Sequence, residues 1–99
     1  MELINVNKDG NRCIGGGTPT IIDESIYDNP VSVQCTNAVW WVGNKNTHGE
    51  IVGLGMVVDG VLTVYQDVNT YMYPTTYVNG VLNITVKNQT YSQLLLMYE

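Results

Sequence analysis

Two stretches of the chain place apolar residues on both sides of a short polar pair, which is the pattern of a β-hairpin. The pairs are Asp59-Gly60, within residues 56–64, and Asn79-Gly80, within residues 77–84. A type I′ turn needs positive φ at both central residues, and Asp or Asn followed by Gly meets that need with the least strain. The sequence therefore predicts two hairpins with two-residue turns at these pairs.

The arms of the second hairpin predict a sheet with one buried and one solvated face. A turn at Asn79-Gly80 places three cross-strand pairs on the buried face: Tyr77 with Leu82, Thr75 with Ile84, and Tyr73 with Val86. Pro74 cannot donate a hydrogen bond to a neighbouring strand. We therefore expect its strand to lie at the edge of a sheet or to end at this residue.

Other segments are apolar on both faces. In residues 38–42, Val39 and Trp41 share one face while Trp40 and Val42 share the other. Residues 94–98 and the arms of the first hairpin show the same two-sided pattern. A helix is also compatible with residues 94–98, because short apolar runs do not distinguish the two elements by periodicity. The shortness of the run and the absence of a cap favour a strand.

Together these elements predict an all-β fold. We expect a single small antiparallel β-sandwich or barrel, built from short hairpins, with residues 1–99 forming one β domain. The other segments are predicted to be connections. They comprise a flexible bend at residues 13–19, a polar stretch at 23–30 with room for one helical turn, and a polar loop at 43–49.

The charge of the chain excludes several classes of partner. Four Lys and Arg residues oppose nine Asp and Glu residues, for a formal net charge of −5. Nucleic-acid binding needs a positively charged stripe, and anionic membranes repel an acidic surface, so we expect neither partner. No apolar run approaches the roughly 20 residues of a membrane-spanning helix. The N-terminal residues lack the basic and apolar regions of a signal peptide, which predicts synthesis in a cytoplasm without an encoded signal.

Few residue types suited to catalysis are present. Cys13 and Cys35 belong to no CxxC pair, and two reduced thiols are favoured over a disulfide or a thiolate metal site. His48 is the only histidine. It has no nucleophile and orienting acid suitably placed beside it in the sequence, so we expect a solvent-exposed imidazole.

Two further segments carry weak ligand-binding patterns. Asp23, Glu24, Asp28 and Asn29 could supply part of a calcium site, but the alternating Asp-x-Asp-x-Asp-Gly run is absent. Residues 15–17 are three glycines that could expose N–H groups to a phosphate, but no P-loop lysine follows. The sequence therefore predicts no catalytic residue, no cofactor and no metal, and we do not expect an enzyme. Two carboxylates brought together by the fold would escape this reasoning.

The adjacent residues Trp40 and Trp41 indicate an interaction surface. Neighbouring residues on a strand point to opposite faces, so one indole can enter the core while the other must be covered elsewhere. A nearby loop, another subunit, or a ligand such as a sugar ring could cover it. The predicted partner or oligomer interface comprises Trp40, Trp41, Leu94, Leu96 and Tyr98.

Two functions follow from this excess of apolar surface. The first is a homo-oligomeric structural or assembly module, because monomers seldom expose large apolar patches. Its composition, rich in Asn, Thr, Val, Gly and Tyr with few charges, is typical of viral or bacteriophage particle proteins of the decoration, fibre or tail type. The chain itself would be the main partner, together with other virion proteins. The alternative is a small binding module or inhibitor whose aromatic surface binds a glycan or a host protein.

Overall fold

The structure is a computed structural model that describes residues 4–6, 12–14, 18–47 and 49–99, the first two ranges by their backbone alone. Within these residues the chain forms ten β-strands. They are β1 (Ile4–Val6), β2 (Arg12–Ile14), β3 (Thr20–Ser25), β4 (Val31–Gln34), β5 (Ala38–Gly43), β6 (Ile51–Val58), β7 (Val61–Asp67), β8 (Thr76–Val78), β9 (Val81–Ile84) and β10 (Gln93–Tyr98). The described ranges contain no helix.

All strand pairs are antiparallel and form three sheets. A five-stranded sheet has the order β3-β10-β5-β6-β7, a three-stranded sheet the order β4-β9-β8, and β1 pairs with β2. The two larger sheets pack face to face as a sandwich and do not close into a barrel. The predicted all-β fold is confirmed, and of its two forms the structure has the sandwich.

Both predicted hairpins have type I′ turns. Asp59 and Gly60 have φ values of 50° and 78°, and Asn79 and Gly80 have values of 51° and 79°. Val58 pairs with Val61 across the first turn, as Val78 does with Val81 across the second. One such turn therefore sets the register in each of the two larger sheets.

The second hairpin departs from its predicted register near Pro74. Tyr77 pairs with Leu82 as expected, but the ladder ends at Thr76, and Met72 rather than Tyr73 forms the bridge to Val86. Met72 is 1% exposed whereas Tyr73 is 53% exposed. The predicted Tyr73–Val86 pair is therefore wrong.

The missing N–H of Pro74 explains the change of register. A strand cannot continue its hydrogen-bond ladder through proline, and β8 accordingly begins after it at the edge of its sheet, as predicted. The N–H of Thr75 instead donates to Oδ2 of Asp67 at 2.8 Å. The N–H of Tyr73 donates to the carbonyl of Thr85 at 3.1 Å. These bonds turn Tyr73 outward and leave Met72 inside.

The polar segment at residues 23–30 contains no helical turn. Asp23 and Ser25 lie in β3, where they pair with Leu95 and Gln93 of β10. The cross-strand hydrogen bonds decide the conformation here, because local propensity is weak compared with pairing to a strand already fixed in a sheet. Residues 94–98 form a strand, as favoured, and that strand lies between β3 and β5.

The core lies between the inner faces of the two larger sheets. Its buried apolar residues are Ile26, Val31, Cys35, Ala38, Trp40, Val42, Val52, Val57, Met72, Leu82, Ile84, Val86, Leu94 and Leu96. Two inward positions of β6 are glycines, which leave room for large neighbours. A Cβ atom at Gly53 would lie 2.6 Å from Sδ of Met72, and one at Gly55 would overlap the ring of Trp40.

Candidate functional site

The two adjacent tryptophans lie on opposite faces of the five-stranded sheet. Trp40 points into the core and is 1% exposed, whereas Trp41 is half-buried on the outside. Each ring lies against a glycine: that of Trp40 against Gly55, its pair on β6, and that of Trp41 against Gly43 two residues further along β5. The outward indole is therefore partly covered by its own sheet.

The predicted interface residues do not share one surface. Trp40, Leu94 and Leu96 are at most 1% exposed and belong to the core, so they offer no surface to a partner. This corrects their assignment, and the reason is the alternation of side chains along β5 and β10. Tyr98 is half-buried and packs against the edge of the core. Of the five, Trp41 lies on the outer side of the sheet.

On the outer side of the five-stranded sheet, two adjacent rows of side chains cross all five strands, and we define these two rows as the outer face. The strand registers give these rows as Ile21, Met97, Val39, Met56 and Thr63, and as Asp23, Leu95, Trp41, Leu54 and Gln66. Seven of these ten residues are apolar, the exceptions being Asp23, Thr63 and Gln66. A protein of this size normally solvates one face of such a sheet with polar residues.

Several side chains of the outer face are well exposed. Ile21 is 57% exposed and Leu95 is 44% exposed. Tyr65, at the bulge in β7, extends the surface, because its hydroxyl lies 3.9 Å from Sδ of Met56. A shallow apolar depression of about 120 Å³ lies among residues that include Trp41, Leu54 and Leu95.

The outer side of the three-stranded sheet has a different character. Its outward positions pair as Ser32 with Asn83 and Thr76, and as Gln34 with Val81 and Val78. Four of these six residues are polar, and the two valines flank the turn of the hairpin. This sheet has the usual solvated face.

Few of the residues that the sequence offered as metal or phosphate ligands lie close together in the structure. Across residues 18–47 and 49–99, no three His, Cys, Asp or Glu side chains come together as metal ligands would. Asp23 lies on the outer face and accepts a hydrogen bond from Nε2 of Gln93 at 2.7 Å, while Glu24 alternates to the other side of β3. His48, the side chain of Cys13 and residues 15–17 lie outside the described residues.

Two titratable groups have shifted pKa values. Cys35 is a buried free thiol, and burial raises its pKa above the ordinary value of 9.0. Tyr91 donates a hydrogen bond from its hydroxyl to Oε2 of Glu50, and this bond raises the pKa of Tyr91.

The predicted interface residues lie on two of the five strands of the outer face, and most residues of that face were not among them. Val39 and Trp41 were placed together by alternation along β5. Leu54 and Met56 could have been added by the same rule, since they pair with Trp41 and Val39. Leu95 and Ile21 join them only because β10 lies beside β5 and β3 lies beside β10. Nothing in a single sequence gives that strand order.

Comparison with protein-family models, with characterised proteins and with solved structures finds no match to this chain. No helix in the described ranges is long and apolar enough to cross a membrane. By its sheet arrangement, the protein is an antiparallel β-sandwich with one apolar outer face.

Proposed function

We propose that this protein is a non-enzymatic assembly module that forms a homo-oligomer through the outer face of its five-stranded sheet. The observation that carries the proposal is the run of seven apolar residues across four adjacent strands on that face. Burying such a surface against protein stabilises the assembly by about 25 cal/mol for each Å² of apolar area removed from water. Ile21 and Leu95 have the most area to lose among its aliphatic residues.

The chemistry of the outer face favours a second copy of the chain over an unrelated partner. Homodimer interfaces are more apolar than interfaces between proteins that also exist apart. Asp23 is the one charged residue among the ten of the outer face. A surface with so little charge offers no electrostatic means of selecting a charged partner, whereas two identical apolar sheet faces can pack as in any β-sandwich.

A viral or bacteriophage particle is the setting that we propose for such a module. The support is compositional: 99 residues, few charges, and many Asn, Thr, Val, Gly and Tyr residues, as in decoration, fibre or tail proteins. In that setting other virion proteins would be further partners. A binding module that uses its surface against a glycan or a host protein is the competing proposal.

The test is the mass of the purified chain and of two lysine variants. We expect size exclusion with light scattering to give a fixed multiple of 11.0 kDa for the unaltered protein. Leu95→Lys should reduce this to the single-chain mass, because it introduces a charge among the apolar side chains of the outer face, next to Trp41. The variant should remain folded, since Leu95 pairs with Asp23 and the new ammonium gains a neighbouring carboxylate.

Val78→Lys is the matched control. Val78 is 62% exposed on the outer side of the three-stranded sheet, so the same new charge should leave the assembly intact. A single-chain mass for the unaltered protein across its soluble concentration range would overturn the proposal. Equal masses for the two variants would overturn it as well, because the outer face would then not be the contact.

A further inference from the structure

A groove of about 410 Å³ lies away from the outer face. It is lined by Ile26, Tyr27, Asp28, Pro30, Tyr73, Thr85, Val86 and Lys87, none of which belongs to the two rows defined above. Its volume is within the range of roughly 300–1,000 Å³ that is usual for small-molecule sites. The assembly proposal makes no use of it.

Backbone hydrogen bonds hold the walls of the groove in place. The N–H of Asn29 donates to the carbonyl of Ile26 at 3.0 Å and closes the turn that carries Tyr27 and Asp28. On the other wall, the N–H of Tyr73 donates to the carbonyl of Thr85 at 3.1 Å. A ligand would therefore meet a largely preformed site, which lowers the entropy lost on binding.

The lining combines apolar and aromatic surface. Ile26 and Val86 are buried and supply apolar surface at the base, while Tyr27 and Tyr73 are exposed around it. Tyr73 is the residue that the break at Pro74 turns outward. Exposed tyrosine rings offer a flat apolar face together with a hydroxyl, a combination suited to ligands that are partly apolar and partly polar.

Two opposite charges complete the groove. The carboxylate of Asp28 makes no hydrogen bond or ion pair with any described residue, so its acceptor positions are open. Nζ of Lys87 lies 4.8 Å from the ring centre of Tyr73 and donates to the carbonyl of Asn69 at 3.1 Å. An ammonium group has three donors, so further donors remain for a ligand.

From this lining we infer that the groove is a binding site for a neutral saccharide. A sugar ring has a face of C–H groups that can stack on tyrosine and a rim of hydroxyls that both donate and accept hydrogen bonds. Asp28 would accept from these hydroxyls and Lys87 would donate to them. The two charges of the lining cancel, so the groove favours neither an anion nor a cation.

The test is a titration of the ¹⁵N-labelled protein with neutral saccharides, namely glucose, galactose, N-acetylglucosamine, lactose and maltose. We expect at least one of them to shift the amide signals of Tyr27, Asp28, Tyr73 and Lys87 in a saturable manner. Tyr73→Ala should weaken that binding at least tenfold. The substitution should not unfold the chain, because the side chain is more than half exposed.

Two variants separate the chemistry of the groove from general effects. Asp28→Asn keeps a residue that tolerates the φ of 59° and removes the charge, so we expect a loss of several-fold in affinity. Tyr65→Ala removes another tyrosine that is more than half exposed, located beside the outer face, and should leave saccharide binding unchanged. The inference is overturned if none of the five saccharides shifts the groove signals, or if Tyr65→Ala weakens binding as much as Tyr73→Ala does.

Discussion

The outer sides of the two larger sheets differ although the sheets share one core. The three-stranded sheet turns four polar residues outward in six positions, whereas seven of the ten residues in the outer face of the five-stranded sheet are apolar. The inner faces are apolar in both sheets, so folding alone does not require this difference. The difference is the basis of the proposed assembly, in which the three-stranded sheet would face water and the five-stranded sheet a second copy of the chain.

The same contrast exists within two adjacent residues. Trp40 is enclosed by the core and its Nε1 makes no hydrogen bond with any described residue, so packing alone holds it. Trp41 is half-buried on the outer face. One indole thus packs in the core and the other lies on the outer face. Substituting each tryptophan separately therefore tests the two faces of the sheet separately.

The largest expected effect comes from removing each indole in turn. Trp40→Ala should lower the free energy of unfolding by about 3–5 kcal/mol, because it leaves a large cavity in the core. Trp41→Ala should lower it by only about 1–2 kcal/mol, since part of that ring is already in water. Urea unfolding at one fixed protein concentration measures both. Equal losses for the two variants would contradict the contrast.

The glycine that accommodates Trp40 gives the next largest effect. Gly55→Ala should destabilise the protein by about 1–3 kcal/mol, because the added methyl group would overlap the indole and lie 2.7 Å from the carbonyl oxygen of Thr63. Gly49→Ala is the matched control, since the nearest atom there, Oγ1 of Thr47, is at 3.7 Å. We expect the control to change stability by no more than about 0.5 kcal/mol in thermal unfolding.

A smaller loss of stability is expected from substitutions in the turns of the two hairpins, one in each of the larger sheets. Gly60→Ala and Gly80→Ala should each cost about 1–2 kcal/mol, because an alanine at φ near +78° or +79° is strained. At Gly80 no other atom lies within 4 Å of the added methyl group, so backbone strain alone acts there. Denaturant midpoints measure both. A loss at one turn but not the other would show that the two turns do not set register equally.

The sequence predicted those parts of the fold that depend on local geometry. Asn79-Gly80 determines its own turn, and alternation along β5 separates Trp40 from Trp41 without knowledge of the neighbours. The prediction failed where distant partners decide the outcome. Met72 takes the buried position because Asp67 accepts the hydrogen bond of Thr75, and these residues are brought together by the fold.

The candidate site illustrates the same limit. Leu94 and Leu96 were assigned to an interface because residues 94–98 are apolar on both sides, and apolarity alone does not say which side faces the second sheet. The outer face becomes visible only when β3, β10, β5 and β6 are placed side by side. A groove built from Tyr27 and Tyr73, 46 residues apart in the chain, is likewise a product of tertiary structure.

The smallest expected effect concerns alkaline pH and the two raised pKa values. A group whose pKa is higher in the folded state holds its proton more tightly there, so stability falls once pH exceeds the pKa of the unfolded chain. For Cys35, buried beside the three-stranded sheet, this loss should begin near pH 9.0 and continue up to the raised pKa. For Tyr91 it should begin near pH 10.0.

The contributions of Cys35 and Tyr91 to this loss of stability can be separated by urea unfolding between pH 7 and 10.5. Three proteins are compared: the unaltered chain, Cys35→Ala and Tyr91→Phe. Cys35→Ala should lower stability at pH 7, because it shrinks a core residue, yet it should flatten the decline that begins near pH 9.0. Tyr91→Phe should leave that decline in place and remove only the part beginning near pH 10.0. If Cys35→Ala declines as steeply as the unaltered chain, the thiol ionises as readily in the folded protein as in water, and burial between the two sheets does not protect it.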